Sequence, residues 1–158
     1  MRMLIVPMSQ RDAEEITSWR YEGAYAFYNP GSATNDLTEL LDPTLRGEHA
    51  CSVREDFSDD LIGFFVCRNL DNDIELGLGL RPDLTGRGFG ESFVREGLHH
   101  IRQRYPESDV TLGVAEFNER AVRLYRRIGF VTERRVLQES GGAVHPFVRM
   151  RLRIDQPL

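Results

Sequence analysis

The stretch Leu76-Gly77-Leu78-Gly79-Leu80-Arg81-Pro82-Asp83-Leu84-Thr85-Gly86-Arg87-Gly88-Phe89-Gly90 decides how the rest of the chain is read. Leu76, Leu78 and Leu80 recur at a period of two, so residues 74–80 read as a strand with one leucine face. Pro82 ends it, and glycines at 86, 88 and 90 lead straight into a helical pattern. That pattern puts Phe93, Val94, Gly97, Leu98 and Ile101 on one face before Tyr105-Pro106 stops it. A glycine-rich loop that opens a helix is an anion site, because the first N–H groups of the helix have no partner within it. The spacing is GxGxG, which fails the dinucleotide pattern GxGxxG, and no Lys-Ser or Lys-Thr follows to make a P-loop. The loop therefore points to a phosphate-bearing ligand of another kind.

The second informative segment is Asn118 to Phe130. Asn118 reads as a helix N-cap. Ala121, Val122, Leu124, Tyr125 and Ile128 follow helical spacing inward, and Gly129-Phe130 reads as a stop. A tyrosine two turns into this helix, near an anion site, suggests proton transfer beside a bound phosphate ligand.

Outward from these segments, residues 3–6 read as a strand stopped by Pro7. Ser9 and Asp12 resemble a capping box for a helix carrying Ala13, Ile16 and Trp19. Residues 19–30 are unusually aromatic and lack one clean period, so they read as a loop with helical pieces. A short helix is expected at residues 35–41. Residues 48–54, 61–68 and 74–80 read as antiparallel strands, with tight turns at 55–60 and 71–73. Residues 110–114 read as a strand. Residues 130–137 and 147–154 read as a final pair joined at Gly141-Gly142. The order is a mixed α/β single domain over residues 1–158, without repeat, linker or low-complexity tract.

The two segments together resemble the GCN5-related N-acetyltransferase (GNAT) superfamily. The family's cofactor motif is a strand, x-Pro, then Arg/Gln-x-x-Gly-x-Gly/Ala, then a helix. Arg81-Pro82 and Gly88-Phe89-Gly90 match it, while Thr85 stands at the Arg/Gln position. A second family pattern, Asn-x-x-Ala-x-x-Leu-Tyr-x-x-x-Gly-Phe, matches at Asn118, Ala121, Leu124, Tyr125, Gly129 and Phe130. The resemblance implies an acyl-CoA N-acyltransferase-like fold: a mainly antiparallel sheet with splayed central strands and helices on both faces.

It also implies an acetyl-CoA-dependent N-acetyltransferase acting on a primary amine. The cofactor's pyrophosphate is expected on the backbone of Gly86, Arg87, Gly88, Phe89, Gly90 and Glu91. Arg87 is the cation that would offset Thr85. The pantetheine arm is expected along Leu78, Gly79 and Leu80, with Asn118 nearby. Tyr125 matches the family's general acid, suited to a departing thiolate by a hydroxyl pKa near 10. Glu75, on the strand entering the loop, is the expected base. Glu116 is a second candidate, and Gly113 stands where other members carry a Glu. The acceptor wall is expected at residues 19–28, with Trp19, Tyr21, Glu22 and Tyr25, and with Asp36 nearby. Aromatic rings with carboxylates suit a cation. The acceptor, a small-molecule amine or a peptide N-terminus, is left open, as is homodimerisation. A non-catalytic acyl-CoA-binding module is the alternative from another class.

Composition bounds the rest. With 41% hydrophobic and 28% charged residues the chain reads as globular and water-soluble. A net charge of -5 argues against a general nucleic-acid binder. All 20 basic residues are Arg, which excludes lysine chemistry. Cys51 and Cys67 have no CxxC spacing and read as reduced thiols. His99 and His100 point about 100° apart on a helix, and His49 and His145 are isolated, so no metal site is expected. No apolar run approaches the ~18 residues of a membrane span, and a cytoplasmic location is expected.

Overall fold

The computed structural model describes residues 1–29, 37–140 and 143–158. Seven strands form one sheet: β1 (Met3–Pro7), β2 (Ala50–Glu55), β3 (Leu61–Leu70), β4 (Asp73–Leu80), β5 (Val110–Ala115), β6 (Val131–Ser140) and β7 (Ala143–Leu152). Their spatial order is β1-β2-β3-β4-β5-β7-β6. Every pairing is antiparallel except β4 with β5. That parallel pair holds register only at Ile74↔Val110 and Glu75↔Thr111. Beyond Glu75 the two strands part, leaving the carboxyl half of β4 unpaired on that side. The sheet is therefore split at its centre, as the family resemblance implied.

Among the described residues four α-helices flank it: α1 (Gln10–Ser18), α2 (Pro43–Arg46), α3 (Gly90–Arg104) and α4 (Glu119–Ile128). In β3 the neighbours Phe64 and Phe65 point to opposite faces, as successive strand residues must. Phe65 enters the core under α3 and α4 with Phe93, Leu98, Ile101, Leu112 and Met150. Phe64 enters a smaller core under α1 with Ala13, Ile16, Trp19 and Leu61. Gly97 lets α3 sit close to the sheet: a Cβ there would lie 2.6 Å from the Phe65 ring. Gly79 serves Phe64 likewise, since a Cβ there would lie 2.3 Å from that ring.

Helix ends follow the local chemistry. The Ser9 side chain accepts the Asp12 N–H at 3.1 Å, capping α1. The Asp12 carboxylate does not complete the box. It is buried, accepts from Ser52 Oγ at 2.7 Å and pairs with Arg54. Asn118 caps α4 by accepting the Ala121 N–H at 3.2 Å. Gly129 ends α4 at a φ of 126°, which only glycine adopts readily.

Several sequence expectations are refined. Residues 19–30 contain a 3-10 helix at Gly23–Tyr28, and the short helix expected at 35–41 is a 3-10 helix at Leu37–Leu41. Asn35, Asp36 and the Gly141-Gly142 turn lie outside the described residues. α2 was not expected from the sequence. β7 starts at Ala143 rather than residue 147, because its first residues pair with β6 alone. Pro146 masks that extension in the sequence, since proline lacks the N–H of a central strand. Its carbonyl instead accepts the Glu116 N–H at 3.0 Å.

Candidate active site

The site is built around the split between β4 and β5. The Ile74 N–H donates across it to Asp109 O at 3.0 Å, whereas the Arg81 N–H turns the other way, to Ile62 O at 2.8 Å. Backbone groups alternate sides along a strand. Those of Leu78 and Leu80 therefore face the gap, where β5 no longer pairs with them. Tyr21 claims one of these groups, its hydroxyl donating to Leu80 O at 2.7 Å. The remaining donors and acceptor form an open strand edge that an extended amide-bearing ligand can pair with.

The glycine loop lies at the end of that edge. The Thr85 hydroxyl donates to Pro82 O at 2.7 Å and closes the 3-10 turn Pro82–Leu84. Gly86 and Gly88 take φ values of 71° and 86°, in the left-handed region. α3 then begins with no side-chain cap on its first N–H groups, which stay available to an anion. A cation not singled out in the sequence lies beside the loop. Arg120, in the first turn of α4, places Nη1 3.1 Å from where a Cβ on Gly86 would stand. Its guanidinium lies 4.7 Å from the centre of the Tyr25 ring. Arg87 lies 5.8 Å from the Phe89 ring. Glu91, in the same turn as the anion site, is neutralised by Arg95 at 3.0 Å and Arg127 at 3.8 Å.

Tyr125 of α4 is buried in the large core beside Phe130, ring centres 5.6 Å apart. Its hydroxyl has no hydrogen-bond partner among the described residues. Burial pushes its pKa well above the ordinary tyrosine value, with the neighbouring Tyr28 adding to the rise. Tyr28 ends the segment expected as the acceptor wall, and its contact with Asn118 is not one the sequence spacing reveals. Its hydroxyl accepts from Asn118 Nδ2 at 3.1 Å, so Asn118 serves as helix cap and as an anchor for the aromatic segment. Burial also raises the Tyr28 pKa, partly offset by that hydrogen bond. Phe27 packs edge-on against Phe117 at 5.3 Å and His145 at 4.9 Å, closing this end of the cleft.

The expected acceptor residues separate. Trp19 is buried, 6.4 Å from Phe64 between ring centres, in the small core. Tyr21 spends its hydroxyl on β4. Tyr25 carries Arg120, and Glu22 is exposed. Glu75 lies near the closed end of the split and accepts from Arg149 Nη2 at 3.0 Å. Arg149 lies over Gly113: its Nη1 is 3.0 Å from where a Cβ would stand. Glu116 is exposed and pairs with Arg135 at 2.5 Å. Asp36 is outside the described residues.

The cysteines lie elsewhere. Cys51 and Cys67 are free and buried, with Cys51 Sγ 3.9 Å from His100 Nε2. Burial pushes the Cys67 thiol up to about 12 and raises Cys51 too, so neither is an activated thiolate. A cavity of about 370 Å³ opens beside them, lined by Pro7, Glu48, Cys51, His100 and Arg104. It lies at the carboxyl end of α3, and no residue of the glycine loop lines it. Among the described residues no three His, Cys, Asp or Glu side chains converge as metal ligands, and no helix is long and apolar enough to cross a membrane.

A family model for the acetyltransferase (GNAT) domain matches residues 2–131. The chain belongs to the GNAT acetyltransferase family. Among curated proteins, a mycothiol acetyltransferase of Mycobacterium sp. (strain JLS) is 36% identical over 81 residues, 48% of this chain and 27% of that protein. A mycothiol acetyltransferase of Thermobifida fusca is 45% identical over 53 residues, 34% of this chain and 16% of the relative. The chain thus spans about a quarter or less of the length of these relatives. Among solved structures, a spermidine N-acetyltransferase chimera of SpeG from Vibrio cholerae and hSSAT superposes with a TM-score of 0.78. It is 21% identical, with 98% of this chain and 96% of that one covered. A GNAT-family acetyltransferase from Bacillus anthracis reaches 0.78 at 14% identity, over 98% of this chain and 96% of that one. At these identities the structures establish the shared GNAT fold.

Proposed function

We propose that this GNAT domain transfers the acetyl group of acetyl-CoA to a primary amine by direct attack. The observation that carries the reading is the open polar edge of Leu78 and Leu80 running into an uncapped helix start. One edge suits the amides of pantetheine and the other end suits a pyrophosphate. The residues fit the group: Gly86 and Gly88 let the loop backbone turn through positive φ and bring no side chains of their own, and Arg120 and Arg87 supply cations.

Acetyl-CoA contributes a thioester whose carbonyl carbon accepts the amine. The amine nitrogen forms a bond to that carbon and the carbon–sulfur bond breaks. Negative charge developing on the carbonyl oxygen is met by a strand N–H, with Leu80 the nearest to the loop. The departing thiolate takes the Tyr125 proton. Burial keeps the Tyr125 hydroxyl protonated through the neutral and mildly alkaline range, and also makes it a weaker acid than the pKa near 10 expected from the sequence. Glu75, the one carboxylate on β4 beyond its first residue, receives the amine's proton directly or through water.

Thermal melting tests the cofactor half of this reading. A ligand present at about 100 times its dissociation constant adds ~2.7 kcal/mol, a shift of several degrees for a domain of this size. Acetyl-CoA and CoA should both raise the melting temperature, while ATP and NAD should not. No shift with either CoA species sinks the proposal.

A further inference from the structure

One face of the sheet, the face that carries α1, has a gap in its cover beside the split. Side chains there alternate with those facing α3 and α4, so Glu75, Gly77 and Gly79 of β4 share it with Thr111 and Gly113 of β5. The β5–β7 register adds Arg149 opposite Gly113 and Arg151 opposite Thr111. α1 covers this face over β2 and β3, and the aromatic segment covers the ends of β5 and β7. Between the two covers the floor consists of Gly77 and Gly113, both exposed, while Gly79 lies under the Phe64 ring of the α1 cover. This is an approach to the split from the side opposite the α3 and α4 core.

Two charges mark its closed end. Arg151 is saturated: its guanidinium contacts Asp73 at 2.9 Å, Asp109 at 3.0 Å, and Glu133. Arg149 is not. It meets one carboxylate, Glu75, through Nη2 at 3.0 Å. Its Nε and Nη1 have no partner among the described residues. The guanidinium also rests on Gly113, the place a side chain from β5 would otherwise fill. A partly shielded arginine fork with spare donors matches a carboxylate, which it binds with two parallel hydrogen bonds. Strand geometry sets the reach: the three residues from Glu75 to Leu78 span about 10 Å, so the closed end lies within a small molecule's length of Leu78.

From this geometry we infer that the acceptor is a small amine that also carries a carboxylate, of the amino-acid kind. Arg149 holds the carboxylate and Glu75 faces the ammonium. The pair of opposite charges on the protein is the complement of a zwitterion. A polyamine, with cations only, would bring positive charge against Arg149. The inference rests on the acetyl-transfer reading above and specifies its acceptor.

The test is acetylation of matched acceptors, scored as CoA thiol released at saturating acetyl-CoA and alkaline pH. Each of a panel of α-amino acids is paired with its carboxamide, which keeps the same amine and side chain, and spermidine is run alongside. At least one acid should exceed its amide in kcat/KM by about ten- to a hundredfold, the worth of one charge-assisted bidentate contact. Arg149→Gln should collapse that ratio through KM, and Arg149→Lys should restore part of it. Melting temperatures with and without acetyl-CoA report folding and cofactor binding for each variant. Amides or spermidine used as well as the acids would overturn the inference alone, as would a ratio unchanged in Arg149→Gln. Acetyl-CoA that neither shifts melting nor is consumed with any amine would overturn the acetyl-transfer reading as well. Acetyl-CoA binding without turnover of any acceptor counts against both.

Discussion

Arg120→Ala should weaken acetyl-CoA binding by about five- to tenfold without unfolding the protein. The reasoning starts from the loop. Thr85 offers no charge, and the backbone N–H groups of residues 86–91 carry most of the anion site. Arg120 is the cation lying over that loop, with Nη1 3.1 Å from the Cβ position of Gly86 and its guanidinium 4.7 Å from the Tyr25 ring. A hydrogen bond to a charged group is worth about 1.5–3 kcal/mol when shielded. Arg120 is exposed, so solvent screening reduces this to roughly 1–1.5 kcal/mol. That difference corresponds to about five- to tenfold in Kd. Stacking on Tyr25 holds the side chain in place and lowers the entropic cost of using it. Isothermal calorimetry with acetyl-CoA measures the change, at two ionic strengths. The wild type should lose more affinity with added salt than the variant, because the variant has one fewer charge to screen. An unchanged Kd in Arg120→Ala, or an equal salt dependence in both proteins, would refute the placement of this cation at the anion site.

Three further predictions follow from the same structure. Tyr125→Phe should lower kcat by about a hundredfold or more with little change in acetyl-CoA affinity, the usual worth of a positioned general acid; equal kcat values in stopped-flow or steady-state assays would remove Tyr125 from the chemistry. Burial raises the Tyr125 pKa, so its proton is retained as pH rises past the ordinary tyrosine value near 10, and the wild-type pH–rate profile should show no alkaline loss below that value from this group. Asp12→Ala leaves Ser52 without its acceptor and Arg54 without its buried partner, and should cost about 3 kcal/mol in urea unfolding with an unchanged m-value; a loss below ~0.5 kcal/mol would contradict the role of this pair in docking α1.

The parts of the fold legible in the sequence are those set by local chemistry. The strand into the glycine loop, α3, and α4 between Asn118 and Gly129 are each bounded by a cap, a glycine or a proline, and the structure keeps them within a residue or two. The parts that were not legible are set by partners far along the chain. Arg120 meets Gly86 and Tyr25 because α4 packs beside the loop, and neither neighbour is near it in sequence. Arg149 meets Glu75 only through the β5–β7 register, which also lays its guanidinium over Gly113. Tyr21 and Tyr28 sit in an aromatic run without a period, so their hydrogen bonds to Leu80 and Asn118 could not be read from spacing. β7 was read four residues short because Pro146 mimics a strand end.

The most direct test of the central claim is transfer of label from acetyl-CoA, isotopically marked in its acetyl group, to a panel of primary amines in the presence of the purified protein. The account predicts a labelled N-acetyl product formed in step with released CoA thiol, dependent on the amine and lost in Tyr125→Phe. Thiol release without an acetylated amine, or no release with any amine while the protein remains folded, would contradict it.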